Sequence, residues 1–132
     1  MEIFEKFQIE VKEDTRLDDM NIKEKQLMLP GIKHKWAARI INFKIERNTL
    51  IKERKRLIKE SVEALSKSGA PPSAPQSALE KKVAASEVIV SIDRKLEELE
   101  LLLEYLEKVE SIMRSFTFDI KNSVELLKLE TL

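Results

Sequence analysis

From Ile32 to Ser66 the chain runs without a single glycine or proline. Strands rarely exceed about ten residues, so an unbroken run of this length is expected to form one long helix. At 1.5 Å per residue it would reach roughly 50 Å. Gly69 supplies a stop. A second run begins at Ser77-Ala78-Leu79-Glu80, a capping box in which Ser77 caps and Glu80 reaches back, and extends to about Met113. Between them, Gly69-Ala-Pro-Pro-Ser-Ala-Pro-Gln76 is the one linker-like segment. It is too short to separate independent domains and is expected to join two antiparallel helices. The whole sequence holds only two glycines and four prolines, too few turn residues for a sheet protein.

The apolar spacing fills in the rest. Ile92, Leu96, Leu99, Leu103 and Leu106 alternate by four and three, a heptad seam. Glu110 interrupts it, with Val109 as the substitute. Near the N-terminus, Phe4, Phe7 and Val11 predict a short helix over Ile3 to Lys12. Thr15 to Asp18 reads as a break. Asp18 or Asp19 caps a second short helix holding Ile22, Leu27 and Leu29, and Pro30-Gly31 interrupts the pattern. Phe116, Ile120, Val124 and Leu127 predict a last amphipathic segment. The expected fold is therefore all-α: two long antiparallel helices joined by a Pro-rich loop, with short helices at both termini. It forms a single domain divided into 1–30, a long basic helix 31–69, a loop 70–76, a long helix 77–114 and a C-terminal segment 115–132. A two-helix hairpin shields only one side of each stripe. Leu101, Leu102 and the C-terminal segment therefore need a further surface. Self-association through Phe116, Ile120, Val124 and Leu127 is the expectation; terminal helices folding back over a monomer is the alternative.

Formal net charge is zero, but the sum conceals a split. Residues 1–30 hold five bases and eight acids, 31–69 eleven bases and four acids, and 83–132 six bases and eleven acids. A basic segment of this strength suits a polyanion partner, or else is neutralised by the acidic segments. Helical residues turn by about 100° each. With Lys44 set at 0°, Lys55, Asn48, Lys59 and Lys52 fall within about the next 80°, and Arg56 near 120°. Glu46, Glu53 and Glu60 form a separate acidic file. Trp36, Ile40, Phe43, Leu50 and Leu57 form an apolar one. The lysine file can follow a phosphate backbone, each ammonium replacing a condensed counterion. Arg47 and Arg54 lie seven apart at the edge of the apolar seam. There they either fix register against acids of the second long helix or line a groove for phosphate.

Several function classes are excluded. There is no cysteine, hence no disulfide or thiolate metal site, and a reducing interior suits the chain. No apolar run approaches the ~20 residues of a membrane span. The acidic, amphipathic N-terminus is neither a signal nor a transit peptide. A cytoplasmic protein is expected, in the host cytoplasm if the source is viral. No Gly-rich phosphate loop, HExxH or EF-hand spacing occurs. His34, the sole histidine, has no acid cluster around it and is expected to be exposed, and Trp36 is expected in the core. Few aromatics remain to stack bases, which argues against an OB-type or RRM-type reader. No cofactor, metal or catalytic residue is expected; the protein binds partners and is not an enzyme.

The order of these features resembles the UvsY family of recombination mediators of T-even phages. The resemblance is carried by Phe4-Glu5-Lys6-Phe7-Gln8-Ile9-Glu10-Val11-Lys12-Glu13-Asp14 with Leu17-Asp18, by Lys35-Trp36 heading the basic helix, by Ala84-Ala85-Ser86 with Asp93 and Leu96 at the start of the second helix, and by Met113-Arg114-Ser115-Phe116 with Ile120-Lys121. The family's Lys-Ala-Arg-Leu segment, linked to DNA binding, falls without gaps on Lys59-Glu60-Ser61-Val62, where only the lysine agrees; with a shift, Arg54-Lys55-Arg56-Leu57 is the closer chemical match. The tyrosine pair that follows in the family is absent. The resemblance implies a ring-like homo-oligomer, of six or seven subunits, that binds single-stranded DNA. It also implies contact with a RecA-like recombinase and with a single-strand-binding protein, and a role in loading the recombinase on covered DNA. The expected nucleic-acid contacts are Lys44, Arg47, Lys52, Arg54, Lys55, Arg56 and Lys59. The rival expectation is a coiled-coil scaffold or adaptor with protein partners only.

Overall fold

A computed structural model describes residues 2–67 and 75–131. Four helices occur among them: α1 (Glu2–Asp14), α2 (Ile22–Lys67), α3 (Gln76–Ala84) and α4 (Glu87–Glu130). The chain is all-α, with two long packed helices, α2 and α4. The Gly69 stop and most of the expected loop lie outside the described residues. None of the described helices is long and apolar enough to cross a membrane. The chain divides into two compact units, Met1–Asn42 with Leu102–Leu132, and Phe43–Leu101.

In the first unit, α1 lies on α2 and α4. Phe7 and Val11, four residues apart on one face of α1, are both buried. Phe7 meets the Trp36 ring edge-on at 5.4 Å, and Phe4 meets Tyr105 at 4.8 Å. Trp36 is 1% exposed, as its place in the apolar arc predicts. Leu29 of α2 clusters with Phe116 and Ile120 of α4, while Trp36 shares a cleft with Met113; the order is reversed, so the two helices run antiparallel here. The heptad seam is borne out at Leu103 and Leu106, and Val109, 0% exposed, takes the place that Glu110 leaves. The turn between α1 and α2 is tied by Asp18, whose Oδ1 accepts the N–H groups of Met20 and Asn21 at 2.8 and 3.0 Å. Lys25 Nζ donates to the Glu13 carbonyl at 2.7 Å, satisfying one of the acceptors left open at the end of α1.

Carboxylates of α1 also hold α2. Arg39 donates through both terminal nitrogens to Glu10, one of them at 3.1 Å, and Lys35 lies 3.0 Å from the same carboxylate. The Arg39 hydrogen bond is the main cause that lowers the Glu10 pKa from its ordinary 4.5, with Lys35 assisting and partial burial opposing.

The second unit packs Val62 of α2 against Val83 of α3 and Ile89 and Ile92 of α4, with Leu57, Ile58, Leu65, Leu79 and Leu96 around them.

Four expected boundaries are corrected. Pro30-Gly31 does not end a helix; α2 runs through it. A proline inside a helix costs about 3 kcal/mol. Leu29 and Ile32 on either side of it are both buried, and this burial offsets that cost. Ser77 does not cap: α3 starts at Gln76, with Pro75 at the N-cap position and no side-chain cap bond. The helix expected over 77–114 is broken at Ala85-Ser86. Val83 and Ile89 are six apart, about 120° away from a common face on one straight helix, yet both pack on Val62; the break brings them together. Finally, α4 does not stop near Met113, because Met113, Phe116 and Ile120 continue one buried stripe and no breaker intervenes.

Two outcomes follow. Gly31 has nothing within 4 Å of an added Cβ, so Gly31→Ala raises stability by about 1 kcal/mol, read as a higher midpoint in urea. Glu10 takes up its proton less readily when folded, so its contribution is complete above pH 4.5 and is lost as pH falls through its lowered folded value. Stability of the parent chain should therefore fall more steeply between pH 6 and pH 3 than that of Glu10→Gln, measured by chemical denaturation across that range.

Candidate nucleic-acid interface

The cations of the basic segment divide by what they touch. Lys35 and Arg39 belong to the first unit and are engaged by Glu10 and Asp14. Asp14 Oδ2 accepts from Lys35 Nζ at 2.6 Å and from the Trp36 indole Nε1 at 2.9 Å. The Arg39 guanidinium lies over the rings of Phe7 and Trp36 at 4.7 and 4.6 Å, where cation–π attraction adds to the ion pair. Part of the basic segment is thus neutralised by the acidic N-terminal helix.

In the second unit Arg54 Nε donates to Asp93 Oδ1 at 2.6 Å, and its second nitrogen reaches Oδ2 at 3.4 Å. This is the register-fixing contact between the two long helices that a charge at the seam edge suggests. Arg56 is exposed and bonds Glu60 one turn on at 3.0 Å, so the acid comes from its own helix. Lys44 is half-buried and engaged in an interaction of its own. Arg47 is half-buried, with no ion pair among the described residues.

Lys52, Lys55 and Lys59 are all exposed, and none makes an ion pair among the described residues. An α-helix places them within about 60° of one another. The file read from the sequence is therefore present as an uncommitted surface at these three positions, while Arg54 and Arg56 carry partners. His34 is exposed, as expected.

One feature was not legible from the lysine spacing. Toward the end of α2 the buried face shifts, so that Val62 lies at about the angle of Lys44. Lys55, Lys59 and Lys67 then border an open groove between α2 and α3, with Ile58, Val62 and Leu79 among its lining. The signal for it was a change of apolar phase: Leu79 and Val83 are four apart, whereas the seam carried back from Ile92 through Ile89 leads to Ala85.

At the C-terminal end of α4, Phe116 and Ile120 are each 3% exposed inside the first unit's own core, with Val124 packed against them. Leu127 is half-buried. Phe118, Leu126 and Leu129 are exposed. Leu102 is buried within the protomer, whereas Leu101 is 59% exposed. No cluster of metal-ligating side chains occurs among the described residues.

The class that the fold and charge layout define is an all-helical protein with a file of exposed, unpaired lysines, Lys52, Lys55 and Lys59, on one face of a long helix, a surface suited to a polyanion. The comparisons take this further. Residues 10–131 match the family described as recombination, repair and ssDNA binding protein UvsY, and the chain belongs to that family. Its described activity is binding rather than catalysis. The structure resembles crystal structures of the bacteriophage T4 recombination mediator protein UvsY. With lattice type IV the TM-score is 0.77 at 19% identity, covering 96% of this chain and 97% of that one. With lattice type I it is 0.74 at 18% identity, covering 93% and 97%. At this identity the likeness establishes the fold. No match was found among curated proteins.

The division of cations gives an expected outcome. Replacing Lys52, Lys55 and Lys59 together with alanine leaves the thermal midpoint nearly unchanged, within about 0.5 kcal/mol. Lys35→Ala with Arg39→Ala lowers the midpoint clearly, because Glu10 and Asp14 are left without their cations. Thermal denaturation of the two variants side by side measures this.

Proposed function

We propose that the chain acts as a recombination mediator. It binds single-stranded DNA along α2 and helps a RecA-like recombinase load on DNA covered by a single-strand-binding protein. Family membership over residues 10–131 carries the reading, and the exposed, unpaired Lys52, Lys55 and Lys59 support it. Lys44, Arg47, Arg54 and Arg56 are secondary contacts. Arg54 and Arg56 reach phosphate only by sharing or leaving Asp93 and Glu60, so each adds less than a free lysine does.

Contacts of this kind neutralise phosphate and read no base edges, so sequence preference is slight. Three lysines per protomer make a weak site. Repetition around a homo-oligomer of six or seven copies raises effective concentration and gives strong binding. The oligomerisation surface is the C-terminal end of α4, where Val124 and Leu127 remain partly accessible and Phe118, Leu126 and Leu129 add exposed apolar area. Phe116 and Ile120 shape that surface from beneath.

Titration of a fluorescent oligonucleotide at several salt concentrations tests the reading. Affinity falls with salt by ~0.7 log units per log salt for each phosphate neutralised. The Lys52→Ala, Lys55→Ala, Lys59→Ala chain therefore shows a slope shallower by roughly 2 per protomer engaged. An unchanged slope removes the stripe as the DNA surface, and absence of salt-sensitive binding in the parent chain leaves the scaffold with protein partners only.

A further inference from the structure

The lysine file accounts for phosphate but not for the groove beside it. That groove has a volume of 590 Å³, within the range of about 300–1,000 Å³ that holds small organic ligands. Ile58, Val62 and Leu79 give it an apolar lining, and Lys55, Lys59 and Lys67 stand along it. Ser66 and Gln76 supply a hydroxyl and an amide, groups that both donate and accept hydrogen bonds. Glu63 and Glu80 also line it. The two carboxylates partly offset the three lysines of the lining, so phosphates sit best at the lysine rim, while the apolar floor of Ile58, Val62 and Leu79 suits an uncharged, flat group.

We infer that the groove between α2 and α3 receives one unpaired nucleobase of the bound strand, while Lys55 and Lys59 hold the flanking phosphates. The inference rests on the DNA-binding reading and deepens it. A base inside a duplex is stacked and paired, and cannot leave without a cost of a few kcal/mol; a base of a single strand is free to splay out. The groove therefore supplies a preference for single strands that a row of ammonium groups alone does not. Its hydrogen-bonding tips take donors and acceptors alike, so the four bases enter with little discrimination. The break at Ala85-Ser86 makes the groove possible: it frees α3 as a separate helix that lays Leu79 and Val83 against the end of α2.

The test compares two oligonucleotides of equal length on the full chain by fluorescence anisotropy: oligo-dT, and the same backbone with abasic tetrahydrofuran residues. The abasic strand should bind about tenfold more weakly, the loss expected when about 60 Å² of base face is no longer buried against apolar side chains, with the same salt slope. Ser66→Leu, which fills the groove, combined with Gln76→Leu, which removes its amide, both at exposed positions, should bring oligo-dT down to the abasic affinity while helix content by circular dichroism is kept. Equal affinity of the two strands for the parent chain overturns the groove but not the DNA-binding function. A base effect that survives the filled groove also overturns this placement. No binding of either strand overturns the function and the groove together.

Discussion

Burying Trp36 sets a requirement that the first unit is built around. A ring 1% exposed takes its indole N–H out of water, and an unpaired buried donor costs about 1–3 kcal/mol. Asp14 meets that need from the last residue of α1. A half-enclosed carboxylate needs a cation in turn, and Lys35 stands beside it at 2.6 Å. The adjacent Lys35-Trp36 pair thus works as a unit, one donor charged and one neutral, both aimed at a single oxygen. Glu10 and Arg39 repeat the arrangement one turn along each helix. These contacts, with Phe7 edge-on to the indole, fix α1 on α2 by direction as well as by apolar area.

The elements that were legible in the sequence are those whose cause is local. The seam from Ile92 to Leu106, the buried Trp36 and the break over Thr15 to Asp18 follow from spacing and residue type. Other boundaries were misplaced. Pro30-Gly31 is a breaker by propensity, and the helix crosses it because Leu29 and Ile32 are buried against partners remote in sequence. Ser77 with Glu80 has the letters of a capping box, but the helix starts one residue earlier. The break at Ala85-Ser86 contains no glycine or proline; it reflects where Val83 and Ile89 must point. Tertiary packing decided the cases at Pro30-Gly31 and at Ala85-Ser86, and one chain's periodicity does not contain it.

The same holds for the candidate site. Helical geometry placed Lys52, Lys55 and Lys59 on one face, and they are exposed there. It could not tell which arginines would be spent on structure, because the answer depends on acids far along the chain. Arg54 finds Asp93 thirty-nine residues away. Arg56 finds Glu60 within its own helix, a pairing that the separation of the two files at about 40° still permits, since a long side chain spans one turn. An arginine fork holds carboxylates in two-point contact, whereas a lysine ammonium is a mobile point charge. Between the long helices the Arg54 guanidinium sets register, while the ammonium groups of Lys52, Lys55 and Lys59 outside the seam are left for exchange with counterions.

Charge is also divided between the two units. Met1–Asn42 with Leu102–Leu132 carries twelve basic and fourteen acidic residues, and Phe43–Leu101 carries twelve and ten. Totals this close to balance exert little long-range pull, so steering depends on local arrangement. In the first unit the partly buried bases Lys35 and Arg39 already sit against carboxylates, and their field is largely cancelled. In the second, Lys52, Lys55 and Lys59 project without such partners, and their fields add along the helix. A strand approaching at physiological salt senses charge over roughly 8 Å, a little more than one helical turn. At that range it responds to three neighbouring ammonium groups rather than to the neutral whole, and a chain of zero net charge can still present a local surface that attracts a polyanion.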